Sequence, residues 1–374
     1  MSSAFPERIA LVLGGGGLKG FAHIGVLRAL EERGIRPTRI AGTSIGALIG
    51  AAWAGGRSVD ALEAAARAVT KKDLFRIDHV NMVMKRMLSP SLYLAQPLQA
   101  VVDSLVPKVR FDELPIEVLV NTVDLERGAQ LVFGLPGLRD VPVNEAVYAS
   151  CALPGFFPPR VIRGRPCVDG GVMDNVPATI AAAGMDAIIA VDVGSSNMAT
   201  ARRIQNKGFA AIYMRAAQTM MKSLQGAQLQ SWSGPPMLLV RPAVWRYHWF
   251  SFAHVDAMID AGYAAAVDAL DRVGDSLMSA GGIYPRRMVD VRIDASKCTG
   301  CRLCTLLAPD VVEMGDDGKA RVIESPVEWS RADGDFVHQC PTDAISAAVA
   351  EGGVMRTTME LPVAPEEDEV DAEP

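Results

Sequence analysis

Long apolar runs are missing from this sequence. The longest candidate, IAGTSIGALIGAAWAGG (Ile40–Gly56), is broken by five glycines and falls short of the ~20 apolar residues a helical membrane span requires. The N-terminus, MSSAFPERIALVLGGGG, has no charged leader ahead of an apolar core, so no secretory signal is expected. Basic charge is not in excess, which argues against a nucleic-acid partner. The acidity is local: residues 351–374 carry a net −7 of the chain's −6, leaving about +1 on the first 350. Histidine is scarce, with only His23, His79, His248, His254 and His338, and none lies in a recognisable catalytic triad. There are six cysteines in 374 residues. In the cytoplasm these absences imply, they point to metal binding or chemistry rather than disulfides.

What is present is an ordinary globular balance, 49% hydrophobic and 21% charged, in a chain long enough for two or three domains. RIALVL (Arg8–Leu13) reads as a buried strand ending in four glycines. From Leu18 to Arg33, Phe21, Ile24, Leu27 and Leu30 recur at helical spacing until Gly34 stops them. RIAGTS then reads as a second strand and IGALIGAAWAGG as a buried helix. This alternation predicts a parallel α/β sheet, continued by the apolar runs Ile116–Leu125, Asp186–Gly194 and Pro236–Val244. A last helix is expected over about His254–Val273. The predicted organisation is a first domain over 5–275, a linker over 276–287, a small domain over 288–350 and an acidic, disordered tail over 351–374. A stretch over 74–106 with Met82, Met84 and Met87, and WRYHWFSF over 245–252, read either as ordinary packing or as an apolar mouth for lipid chains.

GTSIG sets Ser44 in the G-x-S-x-G pattern, between an apolar strand and a helix of small residues. A turn that tight favours glycine on either side of a serine whose hydroxyl projects from the sheet. GGGGLKG (Gly14–Gly20) also joins a strand to a helix, so its amides can approach an anion. A dinucleotide loop is disfavoured because Gly-Thr-Ser, not an acid, ends the second strand. A P-loop fails for want of Gly-Lys-Ser/Thr. An oxyanion hole fits better, and such donors are worth about 3–4 kcal/mol each. Ser44 needs a base. His23, inside the first helix, reads as structural, whereas Asp169 in CVDGGVMDNVP is a carboxylate that can accept a proton if burial raises its pKa.

Four segments in order, GGGGLKGFAHIGVLRALEERGI, IAGTSIGALIGAAWAGG, ASCALPGFFPP and VDGGVMDNVP, resemble the patatin-like phospholipases in their short bacterial form. The resemblance covers about residues 8–195. It implies an α/β fold, a three-layer, mostly parallel sheet with flanking helices. It further implies Ser44 as nucleophile and Asp169 as base in a dyad without histidine, with Gly15, Gly16 and Gly17 as the oxyanion hole and Lys19 as the loop's basic residue. Gly14 stands where many members carry aspartate. The implied substrates are acyl esters of phospholipids, lysophospholipids or neutral lipids, cleaved through an acyl-Ser44 intermediate. Acyl transfer to another alcohol would use the same residues. A degenerate lipid-binding module is a further alternative, disfavoured by the intact Ser44, Asp169 and glycine loop. Peripheral contact at the inner membrane face follows only from the substrate class.

SKCTGCRLCTLLAPDVV (Ser296–Val312) holds Cys298, Cys301 and Cys304, and Cys340-Pro341 follows later. Zinc sites usually pair two C-x-x-C units, whereas C-x-x-C-x-x-C with a remote Cys-Pro is an iron–sulfur arrangement. Structural zinc or free thiols are the alternative. A second cluster would need Cys-Pro where Ala308-Pro309 stands, so one 4Fe-4S cluster on Cys298, Cys301, Cys304 and Cys340 is expected. The segment resembles single-cluster bacterial ferredoxins, implying a small α+β unit of βαββαβ type. Its cluster would be a structural staple, a redox sensor gating the hydrolase, or an electron carrier to a redox partner protein with the first domain as lipid anchor. Cys151 and Cys167 read as small buried apolar residues.

Overall fold

A computed structural model describes residues 6–76, 91–194, 203–273, 277, 281–330, 336–337 and 339–350. Met82, Met84 and Met87 and the acidic tail lie outside the described residues. Two compact units divide at Gly281–Gly282; the first comprises Met1–Met198, Arg203–Gln225 and Gly234–Gly281.

The first unit is built on strands β1 (Ile9–Leu13), β2 (Arg39–Thr43), β3 (Glu117–Asp124), β4 (Ala129–Phe133), β5 (Arg160–Ile162), β6 (Arg165–Asp169), β7 (Ala187–Val191) and β8 (Met237–Val240). They pair in the order β5-β6-β3-β2-β1-β7-β8, with β4 beside β3. The central run from β3 to β8 is parallel, and β4, β5 and β6 are antiparallel additions. Every residue of β1, β7 and β8 is buried, because a parallel sheet covered on both faces leaves no side for polar residues. The longer helices are α1 (Ala22–Glu32), α2 (Ile45–Ala54), α3 (Val59–Ala68), α4 (Ala95–Leu105), α5 (Val143–Cys151), α6 (Gly208–Gln230) and α7 (Val255–Val273). Among the described residues no helix is long and apolar enough to cross a membrane.

The second unit has β9 (Arg287–Ile293), α8 (Leu303–Leu307), β10 (Val312–Met314), β11 (Ala320–Val322), β12 (Val327–Trp329) and β13 (Ile345–Val349). β9 is the middle strand between β12 and β13, all antiparallel, and β10 and β11 form a separate hairpin. β12 is a strand beyond the expected βαββαβ order. The core is small and includes Val289, Val291, Cys304, Val312, Phe336 and Ile345. Leu277 and Ile283, inside the stretch expected as linker, are buried.

Candidate active site and metal centre

Ser44 follows β2 and precedes α2 with φ 55° and ψ −125°, a backbone region that non-glycine residues rarely enter. The glycines around it are there for space. A Cβ on Gly46 would stand 2.1 Å from Leu13 O, and one on Gly42 2.5 Å from Ala47 Cα. The turn is held from behind. Ser44 N–H donates to Ser150 Oγ (2.8 Å), and the Ser150 hydroxyl donates to Asn121 O (2.7 Å). Asn121 Nδ2 in turn donates to Asp174 O (2.7 Å) and to Thr43 Oγ1 (3.1 Å).

Strand register brings the aspartate to the serine. β2 pairs with β3 up to Thr43↔Asn121, and β6 pairs with β3 from Thr122↔Asp169 onward. β4 overlaps both stretches of β3, over Val120–Asp124, so it occupies the opposite edge. β2 and β6 therefore follow each other along one edge, running in opposite directions. Their C-terminal ends meet, and Ser44 and Asp169 are the residues at the junction. Both side chains line one cavity, and the Ser44 side chain acts to lower the Asp169 pKa. Asp169 Oδ1 accepts Gly171 N–H at 2.8 Å. Burial pushes the Asp169 pKa up to about 6, against the lowering effects of the Ser44 side chain and the Gly171 N–H.

The glycine loop narrows the expected oxyanion hole. Gly15 N–H is spent on Asn175 O (3.1 Å), and Leu18 N–H on Trp249 O (2.7 Å). Among the described residues no such backbone acceptor is found for the amides of Gly16 and Gly17, and both glycines line the cavity with Ser44. Gly15 contributes room, since a Cβ there would lie 3.3 Å from Ser44 Cβ and 2.7 Å from Asn175 Oδ1. Lys19 does not line the cavity. It is buried with its ammonium turned to Gly194 O at 3.4 Å, and burial brings its pKa down to about 8, partly opposed by Asp192. His23 donates from Nε2 to Gly14 O (2.8 Å), and burial lowers its pKa to about 4. It is a neutral support of the loop.

Ser44, Asp169, Gly16 and Gly17 open on a cavity of about 340 Å³. Its far walls are apolar: Leu48, Leu62, Ala65, Leu74, Leu98 and Val101. Trp249 and Phe250 of the aromatic WRYHWFSF stretch line it. Phe250 packs edge-on against Phe75 (5.1 Å) and tilted against Phe156 (5.4 Å). Cys151 lines the cavity too, and burial holds its thiol well above the ordinary cysteine pKa.

In the second unit, Cys298, Cys301, Cys304 and Cys340 line one cavity of about 20 Å³, and all four are free thiols. Amides point at the sulfurs: Ala320 N–H to Cys298 Sγ (3.5 Å) and Ala344 N–H to Cys340 Sγ (3.3 Å). Burial raises the Cys340 thiol, but hydrogen bonds from Thr342 and Ala344 more than offset it, leaving the pKa below the ordinary value. Among the described residues no three His, Cys, Asp or Glu side chains converge to hold a single ion. An all-sulfur donor set with amide bonds to the sulfurs suits an iron–sulfur cluster.

Residues 11–182 match the family model for patatin-like phospholipase, and residues 291–347 match that for a 4Fe-4S single cluster domain. The chain carries a patatin-like phospholipase domain followed by a 4Fe-4S single cluster domain. An "Uncharacterized NTE family protein" of Mycobacterium tuberculosis is 36% identical over 201 residues, 52% of this chain and 51% of that protein. "Patatin-like phospholipase domain-containing protein 6" of Homo sapiens is 34% identical over 201 residues, 50% of this chain and 14% of its own length. "Lysophospholipase NTE1" of Coccidioides immitis is 31% identical over 288 residues, 71% of this chain and 18% of its own length. The chain thus spans about half the length of the mycobacterial relatives it matches.

Three residues of the patatin-like domain's site had no role assigned from the sequence. Ser150 and Asn121 brace the Ser44 turn. Asn175 lines the cavity and ties down the glycine loop through Nδ2 to Gly15 O at 3.0 Å. Ser150 and Asn175 lie within ASCALPGFFPP and VDGGVMDNVP, so the motif segments held the signal without the roles.

Proposed function

We propose that the patatin-like domain hydrolyses carboxylic esters of lipids bearing one acyl chain. The observation that carries this reading is Ser44 and buried Asp169 together on the wall of an apolar cavity. Ser44 Oγ attacks the ester carbonyl carbon while its proton passes to Asp169. The oxygen that gains the negative charge meets the amides of Gly16 and Gly17. The alcohol leaves with the proton from Asp169, and the acyl group stays on Ser44. A water then attacks the acyl ester, again giving its proton to Asp169, and the fatty acid departs as Ser44 is reprotonated.

The cavity supports one chain. A dry cavity of about 150 Å³ accepts a benzene ring, so about 340 Å³ accommodates roughly a dozen carbons at the same density. A relative named a lysophospholipase agrees with a one-chain substrate. The test is fatty-acid release from lysophospholipids of increasing chain length and from matched two-chain lipids. The specificity constant is expected to climb by up to about fourfold per CH₂ and to level off near a dozen carbons, with two-chain lipids slower. No release from any ester, or a preference for two chains, would refute the reading.

Acid should silence the enzyme. Asp169 accepts a proton only when ionised, and burial has moved its pKa up to about 6. Activity is therefore expected in full above that value, and to fall about tenfold per pH unit below it. Asp174 is also pushed up to about 6 by burial but does not line the cavity, so Asp174→Asn should keep the same acid limb.

We further infer one 4Fe-4S cluster on Cys298, Cys301, Cys304 and Cys340. Bound there, it would supply a metal centre that ties the Cys298–Cys304 loop to the segment before β13. Ester hydrolysis moves no electron, so the acyl steps above need none of it.

A further inference from the structure

The outward face of α6 is poorly suited to water. Ile212, Ala216, Thr219, Met220, Ser223 and Leu224 are exposed and, at 3.6 residues per turn, fall on one side of the helix. Ile212 is 45% exposed, Met220 59% and Leu224 47%. No charged residue stands on this stripe, although the solvent face of a helix normally carries the charge. The opposite side looks inward: Met221 lines the ester cavity, and its Cε lies 3.0 Å from where a Cβ on Gly171 would stand. Beside that turn, Val172 and Met173 are exposed as well. Large contiguous apolar patches on soluble proteins mark interaction sites.

Charge selects the partner. Between Asp192 and Asp256 there is no acidic residue, while Arg202, Arg203, Lys207, Arg215, Lys222 and Arg246 supply six bases besides Arg241, which pairs with Asp192 at 3.4 Å, in a chain whose net charge is −6. Arg215 and Lys222 are two turns apart and share one flank of the stripe. An apolar stripe flanked by bases matches a helix that lies in the interface of an anionic membrane. A second copy docking through this same face would meet it with the same bases and no acids.

We propose that the outward face of α6 docks the patatin-like domain onto an anionic lipid surface. The helix lies on the surface, with its apolar stripe among the headgroups and Arg215 and Lys222 against anionic lipid. The ester cavity then sits about one helix diameter, ~10 Å, from the bilayer that would supply its substrate. This purpose rests on the hydrolase reading; the docking itself does not.

The test is flotation of the purified full chain with vesicles of phosphatidylcholine, alone or with phosphatidylglycerol, at low and high salt. Binding to the anionic vesicles is expected to exceed binding to the neutral ones by at least about tenfold and to weaken with salt. Met220→Glu with Leu224→Glu should cut it at least about tenfold, and the milder Met220→Ser with Leu224→Ser should lower it as well. Arg215→Gln and Lys222→Gln should each cost about fivefold. All these variants should keep their melting temperature and their rate on a soluble short-chain ester. Ser44→Ala should float like the wild type, which separates docking from catalysis. Equal binding to both vesicles, or stripe variants that float normally, would overturn the proposal. A wild-type dimer that the stripe variants convert to monomer would overturn it too, by making a second copy the occupant.

Discussion

Ser44→Ala is expected to reduce ester turnover by roughly 10⁵–10⁶ at unchanged stability, as loss of a serine nucleophile does elsewhere. The fold has no reason to notice the change. What holds the turn is the backbone bond from Ser44 N–H to Ser150 Oγ, which alanine keeps. Asp169→Asn should cost at least about 10³–10⁴, because an amide can accept the Gly171 N–H but cannot take the serine proton. Its stability should hold or rise, since the desolvation of a carboxylate is removed. A serine-reactive phosphonate should label wild type and fail on Ser44→Ala. Cys151 shares the cavity, but its thiol is held protonated by burial, so Cys151→Ala should remain active. Turnover retained in Ser44→Ala, or lost in Cys151→Ala with folding intact, would move the nucleophile off Ser44.

The order of elements was legible because it is written in local pattern. Apolar runs ending in glycine, followed by helical spacing, located β1 with α1 and β2 with α2, and GTSIG marked the turn between the last two. What brings Ser44 and Asp169 together is not local. It is the succession of β2 and β6 along one edge of β3, through pairings such as Thr43↔Asn121 and Thr122↔Asp169 between segments distant in the chain, and no short-range pattern names a strand's partner. The motif CVDGGVMDNVP offered Asp169 as a base and the resemblance implied the same role; the strand register is what sets it beside Ser44. The same limit hid Ser150 and Asn121, whose roles lie in bonds to a turn far away in the chain. The glycine loop shows a finer failure. Composition marks four glycines as room for amides, but which amides remain available depends on Asn175 O capturing Gly15. Lys19 looked like part of that loop's charge and instead faces Gly194 O, because the short helical turn over Gly17–Phe21 carries it inward.

Replacing Cys304 or Cys340 by alanine should release the iron and unfold the second unit, leaving the first intact. Among the described residues the unit's core holds nine buried residues, with Cys304 one of them and Cys298 and Cys340 packed against it. Its one described helix, α8, has five residues, far below the length at which a helix persists alone. A domain of this size gains much of its stability from a staple, and a metal centre assembled on folding contributes its binding energy to the folded state. Chelation should therefore produce the same state as the cysteine variants. The purified wild type should carry four irons per chain, with a visible absorption that both substitutions abolish. Scanning calorimetry should lose one of two transitions and keep the other. Ester hydrolysis should proceed at the same rate with the cluster oxidised, reduced or removed, since the acyl steps use only Ser44, Asp169, the loop amides and water. Iron loss with both transitions preserved would refute the staple, and a rate that follows the oxidation state would make the cluster a regulator of the hydrolase.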